Sequence, residues 1–178
     1  MVTIEHCRRK LGPGATFYCE HFHAAAGDHV ALWGPSGCGK STMLNLVSGL
    51  LRPDSGKVIV DGTELQDLSE GKLDYFRGDR LGFVFQTFNL LSPFTALQNV
   101  MLSMRFSDKV PAGEWKSRST MLLERVGLGH RLNSKPRTMS VGEQQRVAIA
   151  RALANHQRII VADEPTGSLD PKNAAEVM

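Results

Sequence analysis

Eight consecutive residues near the start of the chain have the types and spacing needed to hold phosphate groups. The segment Gly34-Pro35-Ser36-Gly37-Cys38-Gly39-Lys40-Ser41 fits the pattern G-x-x-x-x-G-K-[ST]. Glycine lets the backbone wrap closely around an anion, and the N-terminus of a following helix adds a favourable dipole. We expect Lys40 to reach the β- and γ-phosphates, Ser41 to bind Mg²⁺, and Thr42 to complete the contacts. The segment therefore predicts binding of ATP with Mg²⁺.

Two adjacent carboxylates form a second candidate site. Asp163 and Glu164 follow the apolar run Ile159-Ile160-Val161-Ala162, which is typical of a buried parallel strand. Ligands of α/β sheets bind at the carboxyl ends of such strands. We expect Asp163 to lie near Mg²⁺ and Glu164 to polarise a water for attack on the γ-phosphate. The alternative is a pair of acids that only solvate a loop.

Short apolar runs alternate with longer amphipathic ones, which favours an α/β domain with a mostly parallel sheet. A buried strand is predicted directly before the phosphate loop and a helix directly after it. Ser140 and Glu143, like Thr95 and Gln98, have the spacing of a capping box at a helix start. The predicted strands are 30–33, 57–60, 81–85 and 158–162, with a hairpin turn at 61–62; the predicted helices are 41–51, 95–104, 114–126, 140–154 and one beginning at Pro171.

Four ordered motifs give the chain its family resemblance. Met139-Ser140-Val141-Gly142-Glu143-Gln144-Gln145-Arg146 resembles the signature motif of ATP-binding cassette (ABC) proteins. Gln86 resembles the glutamine of the family's Q-loop, and Ser168-Leu169-Asp170 resembles its D-loop. The phosphate loop is the fourth motif, and the resemblance covers nearly the whole chain. The resemblance implies a P-loop NTPase fold, a single ABC domain over 1–178, a small antiparallel β part and a helical part over about 87–155 that carries the signature.

The resemblance also implies how the domain works. Gln86 would take part in catalysis and metal binding, and Ser140, Gly142 and Glu143 would meet ATP held by a second ABC domain. Two domains would then close head to tail on two nucleotides and move integral membrane permease subunits at the cytoplasmic face. Within the family, 82–86 followed by 89–91 resembles the lipoprotein-releasing and macrolide-exporter type. We expect the stretch 86–104, rich in apolar residues around Pro93, to contact the membrane subunits and to be partly exposed.

Several positions depart from the family pattern. Met139 and Val141 stand where the commonest signature has Leu and Gly. The early stretch 8–11 has no aromatic residue to stack on adenine, and strand packing is the expected role of Phe17 and Tyr18. The family's further strand and switch histidine do not occur before Met178. We therefore expect this chain to lack a C-terminal segment, to bind nucleotide and to hydrolyse it poorly alone.

Composition narrows the competing functions. Hydrophobic residues make up 42% of the chain and the formal net charge is +3, with Lys and Arg scattered along it, so we expect a folded core and no nucleic-acid partner. Arg118, Arg125, Arg131, Lys135 and Arg137 are expected to form a solvated face. Cys7, Cys19 and Cys38 contain no C-x-x-C pair. A regulatory ATPase of a cell-division complex has the same motifs and stays an open alternative to a transporter subunit. DNA-repair relatives are disfavoured, because no coiled-coil heptads separate the loop from the signature.

Overall fold

The computed structural model describes residues 1–164. The chain divides into two compact units, Met1–Arg77 and Gly78–Met178. The boundary between them falls within one helix, Glu70–Arg80. The predicted D-loop at 168–170 and the predicted helix from Pro171 lie outside the described residues.

An antiparallel sheet forms most of the first unit. Its strands are β1 (Val2–Gly12), β2 (Ala15–Ala24), β3 (Ser55–Val60) and β4 (Thr63–Glu64), in the order β2-β1-β3-β4. Alternate residues point to opposite faces of a strand, so Ile4, Val58 and Val60 are all fully buried on one face. Asp61 and Gly62 join β3 to β4 with φ of 49° and 78°, the left-handed pair that a two-residue hairpin requires. The predicted hairpin and antiparallel part are confirmed.

One helix and most of a second complete the first unit. Helix α1 spans Lys40–Val47 and helix α2 spans Glu70–Arg80, with a 3-10 turn at Leu65–Asp67 before α2. Helix α1 was predicted, although it ends four residues earlier than expected. Helix α2 was not predicted, because the charged residues and two glycines of 70–80 mask its short buried face of Leu73 and Phe76.

The strand predicted over 30–33 is wrong for the described residues. This segment has no ladder partner within 1–164, and Val30 and Trp33 are 50% and 100% exposed. An apolar run becomes a strand only where a neighbouring strand supplies hydrogen bonds and another layer covers its side chains. The described residues supply neither to this segment, so its apolar pattern alone does not produce a strand.

The second unit combines a parallel strand pair with three packed helices. Strand β5 (Leu81–Val84) pairs in parallel with β6 (Ile159–Ala162). The helices are α3 (Ala96–Met104), α4 (Trp115–Arg125) and α5 (Val141–Ala152), with 3-10 turns at Ala112–Glu114, Gly129–Arg131 and Pro136–Thr138. Their buried faces meet in one core that includes Val100, Met104, Leu123, Leu128 and Val147. These strands and helices confirm the predictions to within a few residues at their ends.

None of the helices within residues 1–164 is long and apolar enough to cross a bilayer.

Candidate nucleotide-binding site

The phosphate loop folds as its glycines require. Gly37 and Gly39 have φ of 80° and 100°, in the left-handed region that side chains rarely adopt. Gly39 is the N-cap of α1 and offers no side chain, so its carbonyl accepts the first helical hydrogen bond from the Met43 N–H at 2.9 Å. The loop therefore leads straight into a helix N-terminus without a side-chain cap, which is the arrangement that suits an anion.

Lys40 folds back over this loop. Its Nζ donates to the carbonyl oxygens of Gly34 at 2.8 Å and Pro35 at 3.0 Å, and lies 3.8 Å from Cys38 Sγ. These contacts hold the ammonium group at the centre of the loop, where its charge would face bound phosphate. Ser41 and Thr42 follow in the first turn of α1, and the Ser41 side chain is exposed.

An aromatic ring supports the phosphate loop from β2. A Cβ placed on Gly39 would lie 2.7 Å from Cδ2 of Phe17, so the ring closes the space beside that glycine. Phe17 thus packs on the loop, whereas its neighbour Tyr18 stays half exposed under the Arg8 guanidinium at 5.4 Å. Sequence reasoning expected strand packing for both rings and did not identify Phe17 as a support of the loop.

The second unit brings together two predicted catalytic residues from distant parts of the chain. The parallel register pairs Leu81 with Ile159 and Val84 with Ala162, so Gln86 and Glu164 are each two residues beyond paired positions. Gln86 Nε2 donates to Glu164 Oε2 at 2.7 Å, and both side chains are exposed. The amide therefore orients the carboxylate without burying it.

The backbone at the end of β6 is held in an unusual conformation. The Asp163 N–H donates to the Val84 carbonyl at 3.0 Å, which extends the strand pairing by one bond. Glu164 then turns into the left-handed region with φ of 48°. A non-glycine residue there is strained, and such strain is concentrated at functional sites. The turn directs Glu164 out of the strand and towards Gln86.

Helix α5 begins with the predicted signature residues in a complete capping box. Ser140 Oγ accepts from the Glu143 N–H at 3.2 Å, and Glu143 Oε2 accepts from the Ser140 N–H at 2.8 Å. Gly142 lies between them in the first turn. The two departures from the common signature differ in place: Met139 is buried, and Val141 is 49% exposed at the first helical position.

Arg131 neutralises the acidic member of this capping box. Its Nε donates to Glu143 Oε1 at 2.8 Å and its Nη2 to Glu143 Oε2 at 3.2 Å. Hydrogen bonds from Arg131 and from the Ser140 N–H lower the pKa of Glu143 to about 2. The same ion pair raises the pKa of Arg131. The carboxylate is therefore ionised and fully paired.

The expectation that five basic residues form a solvated face is wrong for two of them. Arg131 is engaged with Glu143, and Arg118 donates to the carbonyl oxygens of Leu153 and Ala154. Burial lowers the pKa of Arg118. Sequence spacing cannot reveal these bonds, because Arg131 lies twelve residues from Glu143 and Arg118 lies 36 from Ala154.

Arg151 was also missed by sequence reasoning. From the last turn of α5 it donates to the carbonyl oxygens of Phe88 and Asn89, both at 2.7 Å. Those two residues have φ of 58° and 48°, in the left-handed region that is unfavourable for residues with a side chain. Arg151 thus holds the turn that follows Gln86, and burial lowers its pKa. A basic residue in the last turn of a helix was the signal available in the sequence, but it is also common in helices without such a role.

The candidate residues are divided between the two units. Residues 34–42 belong to the first, and Gln86, Asp163, Glu164 and the signature belong to the second. The predicted Mg²⁺ set of Ser41, Gln86 and Asp163 therefore draws on both. Hydroxyl, amide and carboxylate oxygens are donors that Mg²⁺ prefers, so the residue types fit that metal.

The chain is similar to members of one protein family. The family model described as ABC transporter matches residues 20–167. An uncharacterized ABC transporter ATP-binding protein of Thermotoga maritima is 50% identical over 157 residues, covering 88% of this chain and 67% of that protein. The lipoprotein-releasing system ATP-binding protein LolD of Pseudomonas fluorescens is 51% identical over 148 residues, covering 83% of this chain and 65% of its own length.

A solved structure shares the fold of this chain. The dimeric post-hydrolysis structure of the ATP-binding cassette MJ0796, bound to ADP and Pi, is 39% identical with a TM-score of 0.89. It covers 99% of this chain, which spans 79% of that one. The chain therefore belongs to the ABC transporter family, as an ATP-binding and ATP-hydrolysing component.

Proposed function

We propose that this chain is the ATPase of a lipoprotein-releasing or exporter-type system, acting as a head-to-tail dimer on integral membrane permease subunits. The supporting relatives include ATP-binding proteins named for lipoprotein release, from Rhodopseudomonas palustris at 47% identity and Pseudomonas fluorescens at 51%. A dimeric cassette structure supports the dimer. A cell-division regulator is not favoured by these relatives.

Each proposed residue has a distinct role. Lys40 and the amides of 34–42 bind the nucleotide phosphates, and Ser41, Gln86 and Asp163 supply oxygen ligands for Mg²⁺. Mg²⁺, when bound, neutralises charge on the phosphate oxygens. Glu164 orients the attacking water and accepts its proton, while Ser140, Gly142 and Glu143 form the helix start presented to the nucleotide of the other subunit.

The hydrogen bond between Gln86 and Glu164 carries this proposal. This 2.7 Å bond joins Glu164, the residue proposed as the base, to Gln86, which starts the loop leading into α3. A conformational change in that loop would therefore move the carboxylate, and the reverse also holds. Nucleotide chemistry and partner contact would be linked through one side-chain pair.

Glu164→Gln tests the catalytic assignment. The amide keeps the shape and loses the base, so hydrolysis should fall by about 10²-fold or more, while ATP binding persists. Glu124→Gln is a suitable control, because Glu124 is exposed on α4 and has no proposed role. Turnover of Glu164→Gln within a fewfold of the unmodified protein would refute the assignment of the base.

The proposed contact with the membrane subunits lies in the stretch 86–104. Leu91 and Phe94 are 43% and 39% exposed, whereas Leu90 and Leu97 pack against the helical core. Exposed apolar side chains next to a polar rim are typical of protein interfaces. We expect cysteines placed at positions 91 and 94 to crosslink to the permease subunits at the cytoplasmic face. Crosslinks that avoid 86–104 altogether would contradict this surface.

A further inference from the structure

The signature segment contains an acidic group where the proposed function places an anion. Glu143 is the third residue of α5, and its carboxylate lies 2.8 Å from the Ser140 N–H. The Ser140 hydroxyl accepts one bond from the Glu143 N–H, and its proton remains a donor for phosphate. A bare carboxylate this close would repel the phosphate and also compete for the positive end of the helix dipole.

Arg131 removes this conflict in two ways. Its guanidinium binds both carboxylate oxygens, at 2.8 and 3.2 Å, so the pair has no net charge. Its Nη2 also donates to the Thr138 carbonyl at 3.3 Å, which fixes the segment that runs into the signature. The Glu143 side chain is 14% exposed and that of Arg131 34%, so water screens this pair only in part.

We propose that Arg131 is a positioning residue for the signature, which makes an acidic capping residue compatible with phosphate binding by neutralising it. This inference rests on the proposed function, since it assumes that the start of α5 meets nucleotide phosphate. Arg131 itself acts through Glu143. The role is electrostatic rather than only structural. If the charge of Glu143 is removed, Arg131 should no longer be needed.

Four versions of the protein test this role: unmodified, Arg131→Ala, Glu143→Gln and the double variant. Glutamine also completes a capping box, so Glu143→Gln keeps the helix start, removes the charge and serves as the uncharged reference for kcat. Arg131→Ala leaves an unpaired carboxylate and should lower kcat about tenfold or more. The double variant should recover to within about threefold of Glu143→Gln, because no charge remains to be balanced.

Two further readouts separate electrostatics from loss of structure. The affinity of the isolated chain for Mg-ATP, measured by calorimetry at concentrations too low for dimers, should be equal in all four versions, because the phosphate loop is unchanged. The kcat defect of Arg131→Ala should shrink as salt is raised from low ionic strength to about 0.5 M, because salt screens the repulsion. Arg52→Ala is the matched control: it also removes an Arg–Glu pair with carbonyl contacts, at the start of α2, and should leave kcat unchanged.

The outcomes are decisive. A double variant no more active than Arg131→Ala overturns the proposal and makes Arg131 a tether of the 132–139 segment. An Arg131→Ala variant with unchanged kcat overturns it as well. If the unmodified protein neither binds nor hydrolyses ATP, the proposed function is refuted instead. The unmodified protein alone gives this result, without any of the variants.

Discussion

Helices α1 and α5 both begin at a segment that we assign to nucleotide phosphate, but their N-termini differ in construction. Helix α1 starts at Gly39, which has no side chain to cap it, and its first residue is the cation Lys40. Helix α5 starts at Ser140, whose capping box includes a carboxylate that is itself paired with Arg131. The first helix start is suited to an anion by composition alone. The second is suited to one only after a distant arginine has balanced its charge.

The difference predicts that the two helix starts respond differently to substitution. At α1 the polar contacts of Lys40 are local, within eight residues, and depend on glycine conformation and one lysine. At α5 the capping bonds are local, but the neutralising bond comes from Arg131 in the 3-10 turn Gly129–Arg131. We therefore expect loss of the single cation at α1 to have the largest effect, and changes at α5 to have smaller, graded effects.

The largest effect is expected for Lys40→Ala. It removes the charge that the loop carbonyls hold in place, so the affinity for Mg-ATP should fall by about 100-fold or more. Isothermal calorimetry would measure this, with Lys72→Ala as control, because Lys72 is an exposed lysine of α2. Equal ATP affinity in Lys40→Ala and the unmodified protein would remove the phosphate-loop assignment and the comparison with it.

The glycines of the loop provide the next contrast. Gly37→Ala meets nothing within 4 Å and suffers only the strain of φ 80°, about 1–2 kcal/mol. Gly39→Ala adds an overlap with the Phe17 ring to a φ of 100°, so it should destabilise the protein more and weaken ATP binding more. Urea unfolding and calorimetry would rank the two. Equal losses would mean that Phe17 yields easily and does not support the loop.

Ser140→Ala and Thr95→Ala form a matched pair. Both residues cap a helix through a complete capping box, at α5 and α3 respectively. Each substitution should lower the free energy of unfolding by about 1 kcal/mol. Only Ser140→Ala should also strongly reduce ATPase activity, because its hydroxyl is assigned to phosphate. Similar activity in the two variants, assayed without membrane subunits, would show that the Ser140 hydroxyl acts as a cap and nothing more.

The smallest expected effect concerns acid stability. The pKa of Glu143 is lowered to about 2, so its ion pair with Arg131 contributes stability above the ordinary carboxyl pKa and loses it as pH falls towards 2. The contribution should be about 1 kcal/mol, because part of the pair is solvent-screened. The free energy of unfolding of Glu143→Gln should therefore lie below that of the unmodified protein at pH 6, and this difference should shrink as pH falls to 2.5. A deficit that does not change with pH would show that the pair contributes no stability.

Local chemistry was readable from the sequence in several places. The loop 34–41, the capping boxes at Thr95 and Ser140 and the hairpin at 61–62 all depend on residues within a few positions of one another. Their patterns predicted helix starts and a turn because the hydrogen bonds involved are short-range. The strand prediction for 30–33 was wrong because a strand depends on distant partner strands, and a local sequence pattern carries no information about them.

The sequence by itself determined which groups could do chemistry: an ammonium among glycines, two acids after an apolar run, and a capped helix start. Only the tertiary structure decided which of them meet. The parallel register of β5 and β6 brings Gln86 to Glu164, 78 positions away. The path of the chain from the 3-10 turn Gly129–Arg131 to α5 brings Arg131 to Glu143. The tertiary structure also sets the Phe17 ring against Gly39. Contacts of this kind depend on how distant elements pack, because the energy that fixes them comes from burial and pairing between elements rather than from local propensity.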